Sequence, residues 1–308
     1  MYLNIMTLLT TLVSMLIAMA FFTLTERKFL GYFQIRKGPN KINVAGIPQP
    51  ISDAMKLMTK ETPFPMSSNY ILFLLAPMMN LLLTMMLWTM FPFSNPSIFF
   101  SFSLLYFLSI SSTMVYTVFG AGWLSNSKFA SLGAIRSIAQ TISYEVVLAI
   151  VILSPMFIFS SFNTSFSMFS SNSMSTLLFM PMLMMWLISI LAETNRTPFD
   201  FAEGESELVS GFNIEFSSMQ FALIFMAEYT NILFMSSITI LLFMPLPMLF
   251  STPMLIMFTT ILAHLIILIR SVLPRLRYDK LMSLAWKYFL PYTLLYYFIL
   301  IPVIMILL

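Results

Sequence analysis

Six carboxylates crowd into residues 190–215: Glu193, Asp200, Glu203, Glu205, Glu207 and Glu215. They are half of the twelve acids in a chain of 308 residues, and a single base, Arg196, lies among them. Apolar runs flank the stretch on both sides. Carboxylates set close together oppose one another's ionisation, and partial burial opposes it further. Such a group can hold or release protons near neutrality, so the spacing points to a device that handles protons or cations. The plainer reading, a solvated acidic loop that docks on basic partner surfaces, stays open.

Two more acids stand inside apolar runs, Glu145 in Ser-Tyr-Glu-Val-Val and Glu228 in Phe-Met-Ala-Glu-Tyr. An ionised carboxylate near mid-membrane costs roughly 2.5–3.5 kcal/mol on insertion scales. Each therefore needs protonation, a partner or water. A proton relay joining Glu193, Glu145 and Glu228 through water is the favoured reading, with neutral hydrogen-bonded carboxyls as the alternative. Arg136 precedes Glu145 by nine residues, about 13.5 Å at the helical rise and too far for direct pairing.

Local spacing suggests how the acids are held. Thr197 suits a cap, Pro198 the first helical position, and Asp200 the third residue after the cap. A short helix from about 198 would put Asp200, Glu203 and Glu207 on one face, with Glu205 pointing elsewhere. Gly204 and Gly211 would leave the segment mobile. Further along, Arg275 and Arg277 are placed to clamp this loop or a partner's carboxylates, or to anchor the chain at a membrane surface. His264 reads as an interhelical hydrogen-bonding residue.

The elements that must position these groups cross a membrane. The chain is 59% hydrophobic and 9% charged, with mean hydropathy +0.91, whereas soluble domains carry about a quarter charged residues. Apolar runs of about 20 residues recur, as a ~30 Å hydrocarbon core requires. Eight spans are predicted near 3–25, 69–91, 98–122, 136–159, 176–193, 217–244, 254–271 and 286–307, or seven if the Ser-rich stretch 160–175 is not a true exit from the membrane. The expected fold is all-α, a single polytopic transmembrane domain over 1–308 with a short interfacial amphipathic helix near 50–61. That helix follows from Pro48-Gln49-Pro50 and from Ile51, Ala54, Met55 and Met58 on one stripe. It reads either as an interfacial helix with snorkelling lysines or as the rim of a cavity for a lipid-like ligand. The sequence opens directly in an apolar run, with no basic leader region, so no cleaved targeting segment is expected.

All fifteen Lys and Arg residues fall on or beside the connections after spans 1, 3, 5 and 7. The positive-inside rule then puts those connections in one compartment and both termini in the other. The basic connections lie near 26–66 and 271–285, and the acidic one near 194–216. Cysteine is absent and His264 is the single histidine. That removes Cys-ligated iron–sulfur clusters, bis-histidine haem and Cys/His zinc sites. No phosphate loop and no dinucleotide fingerprint occurs. The residues alone leave three classes open: a subunit of a redox-driven pump, an autonomous cation transporter, and a scaffold whose acidic loop docks a partner.

Several longer motifs narrow the choice. They include Thr25-Glu26-Arg27-Lys28, Gln34-Ile35-Arg36-Lys37-Gly38-Pro39-Asn40, Gln140-Thr141-Ile142-Ser143-Tyr144-Glu145, Ala192-Glu193-Thr194-Asn195-Arg196, Pro198-Phe199-Asp200, Glu203-Gly204-Glu205-Ser206-Glu207 and Pro274-Arg275-Leu276-Arg277-Tyr278-Asp279. With these the sequence resembles the chain 1 family of NADH–ubiquinone oxidoreductase, a membrane-arm subunit of respiratory complex I. The resemblance departs from the family pattern at 266–270, Ile-Ile-Leu-Ile-Arg, where many members carry Trp before Ile-Arg. It implies eight membrane helices that enclose much of a ubiquinone tunnel, with NADH, FMN and iron–sulfur clusters held by partner subunits. Expected partners are the other subunits of the membrane and peripheral arms, ubiquinone and membrane lipids, and no nucleic acid. The implied location is the mitochondrial inner membrane, with the charged connections toward the matrix and both termini toward the intermembrane space. The resemblance marks Glu145, Glu193, Asp200, Glu203, Glu205, Glu207, Glu215 and Glu228 as coupling carboxylates, with Arg136 and Arg196 as basic companions. It marks Arg27, Arg36, Asp53, Lys56 and Arg275 as tunnel residues, and it implies no metal site and no catalytic residue on this chain.

Overall fold

A computed structural model of the chain describes residues 2–42, 44–91, 100–159, 161–164, 173–201, 211–244 and 252–307. Among them every regular element is helical. In chain order these are α1 (Tyr2–Phe33), α2 (Gln49–Thr59), α3 (Tyr70–Trp88), α4 (Ser103–Leu124), α5 (Lys128–Phe159) and α6 (Ser173–Glu193). A short 3-10 turn, Gly211–Asn213, leads into α7 (Ser218–Phe243) and α8 (Thr252–Val272). The last run is α9 (Tyr278–Ser283), a π-helical turn over Leu284–Phe289, and α10 (Leu290–Leu307). Seven stretches are long and apolar enough to cross a membrane, and the apolar part of α6, Met180–Glu193, is a shorter eighth. The eight expected spans each fall on one of these helices.

Their ends differ from the sequence reading in an instructive way. Span 1 was expected to end near 25, but α1 continues to Phe33, and α5 starts at Lys128 instead of 136. Each has 32 residues, about 48 Å of helix against a hydrocarbon core of about 30 Å. A helix does not stop where its side chains stop being apolar. No Gly-Pro break occurs before Gly38-Pro39, so Glu26, Arg27 and Lys28 ride on α1. The same holds for the seventh connection, which is helical again from Tyr278.

α2 appears where the stripe predicted it, with Pro50 in its first turn. None of its residues is buried, and Ile51, Met55 and Met58 all face outward. α5 and α7 sit at the centre: 50% and 56% of their apolar windows are buried, against 11% for α1. Those two helices carry Glu145 and Glu228. Around them pack Phe107, Tyr144, Trp186, Phe234 and Phe243, each under 2% exposed. α4 approaches α5 closely because Gly122 faces Ala130 and Ala134. A Cβ on Gly122 would come within 2.2 Å of the Ala134 Cβ, the small-residue contact common between membrane helices.

The charge-bearing connections share one end of the bundle. The Asn69 amide donates to the Leu124 carbonyl (3.3 Å), which ties the first connection to the third. Gly133 packs on the backbone of Gly211, tying the third to the fifth. The Leu276 amide donates to the Pro198 carbonyl (3.1 Å), tying the fifth to the seventh. At the other end, the Thr164 amide donates to the Ser103 hydroxyl (2.9 Å), between the second and fourth connections.

Candidate functional site

The residues that follow α6, 194–201, run through turns, so the helix expected from about 198 does not begin there, while the rest of it, 202–210, lies outside the described residues; the reason for the turns is tertiary. The buried Gln140 amide on α5 donates to the Ala192 carbonyl (2.9 Å) and the Phe199 carbonyl (2.7 Å). The Leu276 amide takes the Pro198 carbonyl. Carbonyls that a helix would use internally are thus committed to other segments, which pins the strand of chain carrying Glu193, Asn195 and Arg196 against α5 and the seventh connection.

From this pinned segment side chains enter two adjacent cavities. The first holds about 540 Å³ of space, its open mouth included, and is lined by Glu193, Thr194, Asn195, Thr141 of α5, and Glu228 and Asn231 of α7, among others. Glu193 is 9% exposed and its Oε2 has no hydrogen-bond partner. Glu145 lies close enough for its charge to act on Glu193, and Ser111 of α4 is within reach of the Glu145 carboxyl. The structure therefore brings together Glu193, Glu145 and Glu228, the three acids singled out in the sequence for a relay.

The second cavity, about 220 Å³, is lined by Phe22, Glu26, Arg196, Ile232, Ile266, Ile267 and Arg270. Glu26 of α1 is 4% exposed and accepts from two guanidinium groups, Arg270 and, at 3.5 Å, Arg196. The Arg196 guanidinium also lies over the Tyr229 ring, 4.6 Å from its centre. Burial opposes the charge on Arg196, but the Glu26 carboxylate beside it prevails and holds the guanidinium protonated more firmly than in water. Arg196 also feels Glu228, across α7. Its charge thus reaches acids of both cavities.

The remaining predicted residues scatter around this centre. Asp200 is buried and pairs with Arg275 at 3.4 Å. Arg277 instead pairs with its neighbour Asp279 at 2.9 Å. Arg27 pairs with Asp53 of α2 at 2.5 Å, and Gln49 donates to the same carboxylate at 2.9 Å. Arg36 and Lys56 are exposed, and Arg136 and Glu215 are half-buried. Glu203, Glu205 and Glu207 lie outside the described residues. The hydrogen bond of His264 stays within α8 and does not bridge helices as expected: its Nδ1 meets the Thr260 carbonyl at 2.6 Å, while its ring packs on Phe29 of α1.

The residues of the site that escaped the sequence reading include Glu26, Arg270, Tyr229, Thr141, Thr194, Asn195 and Asn231. Glu26 carried one signal that could have found it. It is an acid beginning a basic run at the edge of an apolar one, where an unpaired carboxylate has no local reason to be.

The Arg27–Asp53 pair is open to solvent, with side chains 57% and 34% exposed. Exposed pairs contribute about 0–1 kcal/mol. Asp53→Asn is therefore expected to leave the thermal stability of the protein's assembly within about 1 kcal/mol of wild type, measured by a melting curve in detergent. A larger loss would mean that the pair holds α2 in place.

Comparison with known proteins places this geometry. A family model described as NADH dehydrogenase matches residues 6–301. NADH-ubiquinone oxidoreductase chain 1 of Aedes aegypti is 49% identical over 299 residues, covering 96% of this chain and 94% of its own length. The protein of that name from Locusta migratoria is 48% identical over 301 residues, 97% of this chain and 95% of its own. That from Bradypus variegatus is 49% identical over 293 residues, with 93% and 92% covered. Matched almost end to end by that family model and by relatives at about half identity, the chain belongs to the NADH dehydrogenase family.

Proposed function

We propose that this chain is a membrane subunit of a respiratory NADH–ubiquinone oxidoreductase, that it walls part of the ubiquinone path, and that its buried carboxylates carry the effect of quinone reduction toward proton translocation. One observation carries the reading: within four consecutive residues, 193–195 line a cavity that also holds Glu228, and Arg196 lines the next one, in which it meets Glu26 and Arg270. Quinone reduction consumes two protons per two electrons, so a nearby charge must change. Arg196 is felt by Glu26 on one side and Glu228 on the other. A change of charge at the ion-paired cluster therefore alters the balance in the carboxylate cavity.

Electrons come from elsewhere. With no cysteine and one histidine, the chain has no ligand set for clusters of its own, so NADH, FMN and iron–sulfur centres belong to partner subunits. The quinone path runs along the charged end, past Arg27, Arg36, Asp53, Lys56 and Arg275. The apolar face of α2 lies at the membrane surface, where an isoprenoid tail would enter. By the positive-inside rule the charged end faces the matrix of the mitochondrion and both termini face the intermembrane space.

The test is a photoreactive ubiquinone analogue added to the intact complex. We expect label in the peptide spanning 26–60 of this chain, competed away by excess ubiquinone. Label confined to other subunits, under conditions where the analogue inhibits turnover, would overturn the assignment of the path.

A further inference from the structure

Gln140 does more than redirect a loop. Its side-chain amide has two hydrogens, and both go to backbone carbonyls of one segment, Ala192 at 2.9 Å and Phe199 at 2.7 Å. The two acceptors bracket residues 193–198, so a single amide grips both ends of the stretch that begins with Glu193. The Gln140 side chain is fully buried. It stands on the helix that also supplies Thr141 to the carboxylate cavity, and Glu145, whose charge acts on Glu193. At this length only glutamine offers two N–H hydrogens without bringing a charge.

The grip sets place more than stability. Each of the two carbonyls also accepts from a local amide, Ala192 from Asn195 at 3.3 Å and Phe199 from Phe201 at 3.1 Å. Taking the Gln140 amide away therefore orphans neither carbonyl; it removes the link between α5 and the segment. Arg196 has anchors of its own in Glu26 and the Tyr229 ring. Glu193 forms no ion pair with a described residue. As the last residue of α6, it also stands where the helix's own hydrogen bonds run out. Its place follows the backbone that Gln140 holds. From this we infer that Gln140 is a positioning residue for Glu193, setting where that carboxylate stands relative to Glu145 and Glu228. The inference rests on the proposed relay through Glu193 and goes beyond it, since Gln140 is uncharged and exchanges no proton itself.

The test is a double-mutant cycle in the intact complex: Gln140→Met, Glu193→Gln and the two together. Each is measured for assembly on a native gel, for melting, for NADH oxidation with an acceptor ahead of the quinone, and for coupled ubiquinone reduction. Methionine has the length of glutamine and no donor. Gln140→Met is expected to assemble and to keep the acceptor rate. It should lose about tenfold in coupled turnover, within the roughly 10²-fold that a misplacement of about 1 Å can cost. The double variant should be no slower than Glu193→Gln alone, because a residue that acts through Glu193 then has nothing left to place. A glutamine that only holds the fold together would instead lower yield and melting, and leave the turnover of what assembles at wild type. That result, or losses that multiply in the double variant, would overturn the positioning role. Wild-type turnover of Glu193→Gln alone would remove the relay and the inference with it, so the two failures are told apart by the single variants. If Gln140→Met does not assemble, Gln140→Glu decides by the same cycle, since it keeps the shape and gives up at least one of the two hydrogens.

Discussion

Glu26→Gln is expected to destabilise the assembled protein by about 3–5 kcal/mol, the usual cost of breaking a buried charge pair from one side. The reason is an imbalance of charge. Glu26 is 4% exposed and is the carboxylate on which Arg196 and Arg270 converge. Glutamine keeps the shape and one acceptor oxygen but removes the negative charge, leaving two guanidinium groups facing each other. Arg196 is itself 7% exposed and would keep the Tyr229 ring, an interaction of about 2 kcal/mol when desolvated, and the more distant charge of Glu228. Arg270→Gln should cost far less, about 1 kcal/mol, because that side chain is 33% exposed and Glu26 keeps Arg196. Arg196→Met should fall between, with the double variant Glu26→Gln, Arg196→Met recovering part of the loss. The measurements are the yield of intact complex on a native gel and its melting temperature. Equal melting of Glu26→Gln and Arg270→Gln would show that the cluster does not hold α1 to α8 and the 193–196 segment.

This cluster also shows which features a sequence exposes and which it hides. Glu145, Glu193 and Glu228 stand out because each is an acid in an apolar neighbourhood, so its environment is written on either side of it. Glu26 is followed at once by Arg27 and Lys28, and reads as the first of a solvated run. Only the continuation of α1 past its apolar part, and the packing of α1 on α8 and on residues 193–196, turn it inward. Its two partners lie 170 and 244 residues away in the chain, a separation that local spacing does not record. Uncharged polar residues were harder still. Gln140, Thr141 and Asn231 sit on spans where hydropathy barely notices them, yet Gln140 fixes the path of 192–199 and the other two line the cavity.

The acidic connection illustrates the opposite error. Its capping pattern was sound local chemistry, and the structure still chose turns over 197–201, because Gln140 and Leu276 compete for the carbonyls. Local preference is worth a fraction of a kcal/mol per residue. Two buried hydrogen bonds and an ion pair between Asp200 and Arg275 outweigh it. The number of helices and the common end of their charged connections were legible for a different reason. They follow from the cost of putting charge in hydrocarbon, which acts on every residue of the chain at once.

That same cost fixes the second large effect. Glu193→Gln is expected to lower ubiquinone reduction coupled to proton translocation by about 10²-fold, the lower range for loss of a group that exchanges protons during turnover. The assembled complex should persist. Glutamine has the volume of glutamate, and Glu193 Oε2 makes no hydrogen bond that the amide would break. Burying a neutral amide is also cheaper than burying a carboxylate next to the Glu145 charge that already acts on it. Stability and turnover should therefore separate: melting unchanged or raised, coupled rate lost. Glu193→Asp, which still ionises but reaches less far into the cavity, should keep an intermediate rate. NADH oxidation with an acceptor that takes electrons ahead of the quinone should match wild type in both variants, which locates the defect downstream of electron entry. An assembled Glu193→Gln complex with wild-type coupled turnover would remove this carboxylate from the relay. It would leave Glu145 without the carboxylate on which its charge acts, and Glu228 without its acidic companion in the cavity.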